Sequence, residues 1–528
     1  MGKRNNSEQR RCKAPAEVEH PRGSQPETLT PSRRRWNDKR IWLVAVGIFT
    51  LIALCPIWSV RFLPMQDYPE HLWQVHMLRF RDDPAFDYKE NFDFNLRLAP
   101  YATFYAITAL FSIAVPLEVA GKLSISLYIL AVTLLVIKLE RRSKGDFAPW
   151  GLLLFFPFAF NQQYFQGNTN YFYSLPLLVF ALLDHEDMSK TPVSLWPLCR
   201  HLLWQLVLFF THPLTFLIYI SLAGVGALLS WRKRAEFVRA LISPAIGAIF
   251  FSLWFVVESA AGSAGQMMWT SFVGNLGCYA YIFTGMRWFD GVNKLSAVLW
   301  IAMGGLVVYA FFAGRQESVR FSRRELAFFT LTTIAVFVLP FRKGPYSYIN
   351  ARVAAISYFF LAMLVGRLRF KGACKAVFVV LAAAVLIQSV IMQRHISEEI
   401  KEIEPIVTRI PSNSRILPLV FDNDTAELDR YFFDMHLHDH AYYHLLVGGG
   451  LTPYIIQNPL FPVHYKAGMN RPAPGEYSPY QFRWEQHASD YQYFLVRSAP
   501  YELIPYLADK TKQIGRSGKW LLFKRNVD

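Results

Sequence analysis

The chain carries, at residues 41–60, the apolar run IWLVAVGIFTLIALCPIWSV. A helix of this length is about 30 Å long, which matches the hydrocarbon core of a bilayer. Because the run is continuous rather than alternating, it predicts a membrane-spanning helix and not a strand. It is longer than a secretory signal, and no small-residue cleavage site follows it, so we expect it to remain as an anchor.

Similar apolar runs recur as far as residue 393. Of the 528 residues, 53% are hydrophobic and 18% are charged, which excludes an ordinary soluble protein. Backbone polar groups in hydrocarbon must be satisfied internally, so continuous spans are helices. We predict a polytopic, all-α membrane domain of about eleven to thirteen helices over residues 41–393. Its further apolar segments are 101–117, 119–138, 148–161, 170–184, 196–211, 213–230, 240–259, 296–313, 325–341, 353–366 and 375–393.

The basic residues predict the orientation in the membrane. Residues 1–40 contain eleven Lys/Arg and five Asp/Glu, a net charge of +6, directly before the first span. Because basic residues favour the cytoplasmic side, we expect a disordered, basic, cytoplasmic tail over 1–40. The net charge of +16 therefore indicates an oriented membrane protein rather than one that binds nucleic acid.

Later basic clusters extend this orientation. The clusters at 232–234, 315–324 and 367–375 are expected to be cytoplasmic, so the loop 262–295 and everything after residue 393 face outside. The cluster 140–144 fits the cytoplasmic side only if segment 101–117 does not cross the membrane fully.

The sequence pattern changes near residue 394. An amphipathic helix is predicted at 397–409, strands at 416–421 and 493–496, and a hairpin from 513–514 and 520–523. We therefore expect a small, soluble, extracytoplasmic α/β domain over 394–528.

The first extracytoplasmic loop, 61–100, begins with candidate catalytic residues. Asp67, Glu70 and His71 lie in the stretch QDYPEH at 66–71. Asp67 is placed to accept a proton from an attacking hydroxyl, or to help hold a divalent cation that neutralises a phosphate. A structural alternative, compatible with both, is that Asp67 caps a helix beginning at Pro69.

A second candidate site lies in the loop 341–352. Arg342, Lys343 and Arg352 are cations on the outer side, where the positive-inside bias disfavours them. Arginine binds phosphate through two parallel hydrogen bonds, so Arg352 is a candidate for the phosphate of a substrate. The alternative is snorkelling to lipid phosphates. Tyr346 is a candidate for stacking on a sugar ring.

Histidines lie close together in the C-terminal region. His436, His440 and His444 have helical spacing, which can present imidazoles to zinc. No HExxH motif is present, so surface histidines on a helix are the simpler interpretation. A third interpretation is that this segment covers the membrane cavity and contacts substrate. The scattered cysteines indicate neither a disulfide framework nor a metal site.

Together these stretches resemble the C-type glycosyltransferases (GT-C), and within them bacterial proteins with a QDYPxH loop motif. Three more stretches are similar to that group: QGNTNY at 166–171, THPL at 211–214 and NAR at 350–352. The resemblance implies a polyprenyl-phosphate sugar donor and a lipid or glycan acceptor. A single displacement on such a donor would invert the anomeric carbon.

The motifs and the composition of the loop 341–352 together give the expected residue roles. Asp67 is the expected base, alone or paired with Glu70 or His71. The expected substrate-binding residues are Asn170, His212, Arg342, Lys343, Tyr346, Asn350 and Arg352. Better-known members often have two adjacent acids in this loop, whereas here Gln66 precedes Asp67. That difference argues against a metal-dependent mechanism, so a divalent cation stays an alternative and no cofactor is firmly implied.

Two other functions fit a bacterial inner-membrane protein of this kind. A transporter or flippase would carry charged or broken helices at mid-membrane, but the polar candidates here cluster near the outer face. A non-catalytic envelope assembly scaffold would leave the stretches around Asp67 and Arg352 without a purpose. A membrane glycosyltransferase is therefore the favoured prediction.

Overall fold

The structure is a computed structural model. It describes residues 31–95, 99–143, 148–192, 194–259, 266–281, 294–313, 321–344, 346–370, 372–428, 433–456 and 460–526. Three predictions lie wholly or partly outside the described residues. They concern the disordered tail (1–30), the loop 262–295 (262–265 and 282–293), and the basic clusters at residues 144 and 315–320.

A bundle of long helices forms most of the molecule. The long helices are α1 (Pro31–Ser59), α5 (Leu117–Arg142), α8 (Thr169–Lys190), α9 (Leu195–Thr211), α10 (Pro213–Leu228), α11 (Arg234–Ser259), α13 (Lys294–Ala313), α14 (Arg323–Val338), α15 (Ile349–Val365) and α16 (Gly372–Lys401). The shorter helices are α2 (Tyr68–Arg79), α3 (Tyr88–Asn91), α4 (Ala102–Ser112), α6 (Phe155–Ala159), α7 (Gln162–Phe165), α12 (Phe272–Tyr281), α17 (Glu404–Val407), α18 (Tyr442–Leu446), α19 (Trp484–His487) and α20 (Leu503–Ala508).

The helices have the length and composition of membrane spans. Among the described residues, α1, α5, α11 and α16 each contain a stretch long and apolar enough to cross a bilayer, and α10, α13 and α15 are shorter apolar helices. Large hydrophobic side chains on α1, α5, α10, α11, α13 and α16 are exposed, as expected for surfaces that face lipid, whereas α15 is buried within the bundle. The predicted helical membrane protein is therefore confirmed.

Ion pairs bring the basic clusters together at one end of the bundle, which we call the basic end. Lys39 Nζ lies 3.3 Å from Glu140 Oε1, which places the start of α1 beside the end of α5. Arg142 donates to Asp187 at 2.6 Å and so adds the end of α8. The same end holds the pairs Arg367–Glu325 and Lys375–Asp38.

Segment 101–117 does not cross the bundle. Helix α4 has 11 residues and is therefore only about 16 Å long, roughly half the hydrocarbon thickness. It packs antiparallel to the beginning of α5 at the end opposite to the basic end. The basic cluster 140–144 was expected on the same side as the N-terminal cluster only if segment 101–117 did not cross fully. This condition is met.

The apolar segment 148–161 is not a single spanning helix. It forms a 3-10 turn (Trp150–Leu154) followed by α6, and Pro149 and Pro157 interrupt regular pairing. All of its residues from 150 to 161 are buried inside the bundle, which is where irregular backbone is tolerated at membrane depth. The segment leads the chain to residues 162–168, opposite to the basic end.

The C-terminal region contains a four-stranded sheet with the order β4-β6-β8-β7. The strands are β4 (Ile416–Val420), β6 (Tyr493–Arg497), β7 (Thr511–Ser517) and β8 (Trp520–Arg525). β4 and β6 pair in parallel and are buried throughout, which explains their continuous apolar sequence. The other neighbours are antiparallel, so the predicted strands and the final hairpin are confirmed.

The predicted amphipathic helix at 397–409 is wrong in its bounds. The last long helix, α16, continues unbroken through residue 397 to Lys401, and the separate helix α17 covers only Glu404–Val407. The reason is that one apolar face extends from the bundle into the region beyond, where Ile396, Ile400 and Ile403 remain in the same core.

The C-terminal region packs on the first loop. Strand β1 (Phe92–Phe94) of that loop pairs antiparallel with β5 (Val463–Tyr465), and α2 contacts α18. A further two-stranded ribbon joins β2 (Met267–Met268) to β3 (Arg342–Lys343). Together, the loop 61–95 and residues 433–476 form a cover, hereafter the cap, over the end of the bundle.

The pairing of β1 with β5 predicts a specific cross-link. Directly opposite residues of an antiparallel pair have Cα atoms about 4.5–5.5 Å apart, a span that a disulfide bridges. Asp93 lies opposite His464, so the double variant Asp93→Cys/His464→Cys should form a disulfide on mild oxidation, detected as a linked peptide by mass spectrometry. The control, Asp93→Cys/Lys512→Cys, should not. Equal linkage in both would contradict the pairing.

Candidate active site

A polar cavity of about 450 Å³ lies between the cap and the end of the bundle. Its walls come from the start of α2, residues 166–171, the α9–α10 junction, residues 342–352 and the C-terminal part of the cap. Seven of the predicted site residues line it: Asp67, His71, Asn170, His212, Arg342, Tyr346 and Arg352. Glu70, Lys343 and Asn350 lie outside the lining.

Asp67 occupies the N-cap position of α2 without capping it. Helix α2 begins at Tyr68 with Pro69 in its first turn, but the Asp67 side chain accepts no hydrogen bond from the helix. Its Oδ1 instead lies 3.0 Å from Nδ1 of His438, an ion-pair distance. The side-chain capping alternative is therefore wrong, and the carboxylate faces the cavity.

The backbone of residues 66–67 is held against residues 165–167. Gln66 N–H donates to the carbonyl of Phe165 (2.9 Å), and Asp67 N–H donates to that of Gln166 (3.2 Å). Gly167 has a φ of +78°, and a Cβ there would lie 2.7 Å from the Asp67 nitrogen. Glycine is required at this position both for its conformation and for the close approach.

His438 lies between two acidic side chains. Its Nε2 is 3.4 Å from Oε1 of Glu476, on the side opposite to Asp67. Burial lowers the pKa of His438, but Glu70, Glu476 and Asp67 outweigh it and hold the pKa well above the ordinary value. Burial works against ionisation of Glu476 as well, yet His438 and His440 lower its pKa to about 2. The imidazole of His438 therefore lies between two acidic side chains, an arrangement that favours its protonated form.

Glu70 and His71 have different positions from Asp67. Glu70 is fully buried beneath the cavity, where its carboxylate accepts a hydrogen bond from Ile456 N–H and burial raises its pKa. His71 lines the cavity, and its Nδ1 lies 2.7 Å from the Tyr105 hydroxyl. Burial lowers the pKa of His71 to about 4, so this ring is neutral at neutral pH. Neither side chain pairs directly with Asp67.

Arg352 supplies positive charge to the cavity from the first turn of α15. Its guanidinium lies over the Tyr171 ring (5.8 Å to the centroid), and its Nη2 donates to Asn168 Oδ1 at 3.3 Å. Within the described part of the chain, no carboxylate lies within ion-pair distance of it, and its buried Nε has no hydrogen-bond partner. An unneutralised arginine in a cleft is suited to an anionic ligand.

The other two cations of this loop differ in position. Arg342 is exposed at the cavity mouth, with Nε donating to the carbonyl of Gly344. The Lys343 side chain points away and lies over the ring of Phe255, 5.8 Å from its centroid. Strand alternation explains this difference, because successive residues of β3 project to opposite faces.

The two predicted asparagines have structural contacts. Asn170 Oδ1 accepts the N–H of Phe104 (2.8 Å) near the start of α4 while the residue lines the cavity. Asn350 donates to Asn275 Oδ1 (2.7 Å) and is fully buried away from the cavity. Direct contact of Asn350 with a ligand in this cavity is therefore not supported.

His212 is enclosed by aromatic rings. Its ring lies edge-on to Tyr101 (4.9 Å between centroids) and Tyr171 (4.8 Å), and its Nδ1 is buried without a hydrogen-bond partner. Tyr101 and Tyr348, which also line the cavity, both have positive φ angles, +67° and +60°. Such conformations cost about 1–2 kcal/mol each and are concentrated at functional sites.

The prediction of surface histidines on one helix is wrong. His436, His440 and His444 are all buried, and they lie in successive turns rather than along one helix. His436 pairs with Asp439 (2.7 Å), while His444 stacks on Trp73 with 3.9 Å between ring centroids. The cause is the packing of this segment against α2, and the interpretation that it covers the cavity is the one the geometry favours.

Sequence reasoning missed three residues of the site. His438 belongs to the histidine-rich stretch but lies outside its four-residue spacing, and Glu476 is in a loop with no motif. Gln66, at the position where related loops often have an acid, accepts the N–H of Asp434 at 3.1 Å and so joins the two parts of the cap.

The fold and site define a multi-pass membrane protein with a polar cavity beneath a cap at one end of the bundle. No protein-family model matches the chain, and no curated protein matches it. Among solved structures, it is similar to the crystal structure of ArnT from Cupriavidus metallidurans bound to undecaprenyl phosphate. The TM-score is 0.50 with 10% sequence identity, over 91% of this chain and 97% of that chain. The predicted GT-C fold is thereby confirmed, whereas the QDYPxH subgroup stays a prediction.

The contact at Gly167 predicts a large loss of stability on substitution. Gly167→Ala would force an L residue into a left-handed conformation, at about 1–2 kcal/mol, and press its Cβ against the Asp67 backbone. The melting temperature in detergent should fall by several degrees. The control is Gly224→Ala in α10, where no atom lies within 4 Å and alanine favours the helix. An unchanged melting temperature for Gly167→Ala would contradict the contact.

Proposed function

We propose that this protein is a glycosyltransferase that moves a hexosyl or pentosyl group from a polyprenyl-phosphate donor to a lipid or glycan hydroxyl. The observation that carries the proposal is that one cavity is lined by both Asp67 and Arg352. The guanidinium of Arg352 has no carboxylate partner among the described residues. The undecaprenyl phosphate bound by ArnT, which has the same fold, supports a polyprenyl phosphate as the lipid.

The reaction we propose is a single displacement. The acceptor oxygen attacks the anomeric carbon while its proton passes to the Asp67 carboxylate. The bond between the anomeric carbon and the phosphate oxygen breaks, and its electron pair leaves with the polyprenyl phosphate. Attack opposite to the leaving group inverts the anomeric carbon. The free energy comes from the donor, so the step needs no nucleotide.

His438 acts on Asp67 as a positioning residue. Its Nδ1 lies 3.0 Å from Oδ1 of Asp67, which fixes the carboxylate and leaves Oδ2 for the acceptor. Glu476 holds the other ring nitrogen, so the imidazole cannot rotate freely. A fixed carboxylate loses less entropy at the moment of reaction than a mobile one.

Arg352 and Arg342 bind the phosphate of the donor and stabilise the charge that develops on it as it leaves. Arg352 is half-buried and has no carboxylate partner among the described residues, whereas Arg342 stands at the mouth. Charge stabilisation by fixed cations in a partly enclosed site is a large contribution to catalysis. Tyr346, between them along the chain, is the proposed platform for the sugar ring.

The proposed location is the bacterial cytoplasmic membrane, with the basic end in the cytoplasm. The positive-inside rule supports this orientation. The cavity and the domain proposed for residues 394–528 then face the extracytoplasmic side. The long isoprenoid chain of a polyprenyl phosphate would reach the cavity from the adjoining leaflet.

Loss of the base should abolish transfer. Asp67→Asn keeps the side-chain shape but cannot accept the proton, so release of undecaprenyl phosphate from a panel of undecaprenyl-phosphate sugars should fall about 100-fold or more. The assay uses membranes that contain natural acceptors. The matched control, Asp93→Asn, changes an exposed acid of the same loop and should be silent. Wild-type rates for Asp67→Asn would reject the assignment.

Removal of Arg352 should weaken binding of the lipid phosphate. Loss of hydrogen bonds to a charged group costs about 1.5–3 kcal/mol, so the Kd of Arg352→Ala for undecaprenyl phosphate should rise about 10-fold to 100-fold. Lys343→Ala is the control, because that side chain points away from the cavity, and its Kd should stay within about twofold. Equal effects of the two variants would show that general surface charge is responsible.

A further inference from the structure

Beneath the cavity, three acidic or imidazole side chains converge from distant parts of the sequence. Glu70 comes from α2, His440 from the turn before α18, and Glu476 from a loop of the cap. Nε2 of His440 lies 3.6 Å from Oε1 of Glu70 and 3.8 Å from Oε1 of Glu476. All three ligand atoms lie within 4.8 Å of one another.

Most of these atoms lack a hydrogen-bond partner even though they are buried. Glu70 is fully buried, and His440 is only 2% exposed. Glu70 Oε1 and both ring nitrogens of His440 have no hydrogen-bond partner within the described part of the chain, whereas Glu476 Oε1 has the 3.4 Å contact with Nε2 of His438. The separations are too long for hydrogen bonds between the groups themselves. Buried polar atoms are normally satisfied, so a cluster of this kind is suited to binding a ligand.

The spacing fits a metal ion. Zinc bonds to histidine nitrogen and carboxylate oxygen are about 2.0–2.2 Å long, so tetrahedral ligand atoms stand about 3.3 Å apart. The two measured separations exceed this value by a few tenths of an ångström, a small closure for side chains. One imidazole and two carboxylates suit Zn²⁺ or Mn²⁺, since these ions accept mixed nitrogen and oxygen ligands.

We propose that Glu70, His440 and Glu476 form a binding site for a divalent metal ion of the Zn²⁺ or Mn²⁺ class. The site is separate from the phosphate-binding arginines, and the proposal does not depend on the transfer reaction. The Ile456 N–H hydrogen bond to Glu70 serves as an outer contact that orients this carboxylate. Bound metal would join the two parts of the cap, α2 of the first loop and the C-terminal part, across 370 residues of sequence.

The site also has a consequence for its neighbours. Glu476 contacts His438 at 3.4 Å, and His438 contacts Asp67. A metal that fixes Glu476 would therefore help to position His438 without touching the reacting atoms. Glu70 and His440 would act only as ligands.

The test uses the full chain, purified in detergent through a tag without histidine and dialysed against a chelator. After addition of Zn²⁺ or Mn²⁺ and gel filtration, mass spectrometry should find one ion per chain. Glu70→Gln and Glu476→Gln should weaken binding about 10-fold or more, because each keeps the shape but removes a charged ligand. The control His395→Gln removes an exposed imidazole and should bind metal like the wild type.

Two further measurements on the wild type protect the test against misfolded variants. Co²⁺ should give visible absorption bands typical of a low-coordinate site, and these bands should disappear when Zn²⁺ is added. Zn²⁺ should also raise the melting temperature relative to chelator, since metal binds the folded state. No retained metal and no thermal shift would overturn the proposal. Unchanged metal affinity in both folded Gln variants would also overturn it. Loss of metal binding in the His395→Gln control alone would do the same, because it would indicate binding at the protein surface.

Discussion

The site depends on one backbone contact, that between residues 66–67 and residues 165–167. Two hydrogen bonds and the absence of a Cβ at Gly167 fix where the first loop begins, and so where the carboxylate of Asp67 lies. The contact is possible because the irregular segment before it is buried in the bundle, where its polar backbone is satisfied. The direction of α2, and with it the position of the cap, follows from this contact.

The cavity separates charge rather than neutralising it. On one side, the imidazole of His438 lies between the acidic side chains of Asp67 and Glu476, so acid and base groups stabilise one another. On the other side, Arg352 makes contacts only with polar and aromatic groups among the described residues. A cation without a counterion in a partly buried position is costly unless a ligand supplies the negative charge. This asymmetry favours a substrate that has an anionic end and a neutral, hydroxyl-bearing end.

Much of the fold followed from the sequence, because continuous apolar runs and basic flanks are local signals. The sequence patterns that predicted the strands now seen at 416–420 and 493–497, and the final hairpin, are local as well. The site was only partly predictable: Asp67 and Arg352 lie in recognisable stretches, but His438 and Glu476 reach the cavity through tertiary packing that leaves no periodic trace. The helix at 397–409 was wrong for a related reason, since an apolar face continued past the point where the composition changed.

The pairing of β1 with β5 has a consequence for biosynthesis. The cavity contains residues from Asp67 to Glu476, so a ribosome must complete most of the chain before the cavity exists. Nascent chains insert and fold from the N-terminus, which leaves early helices in the bilayer without a functional centre. Half-made or truncated copies therefore lack the cavity. The cavity is thus a property of the nearly complete polypeptide and not of its early helices.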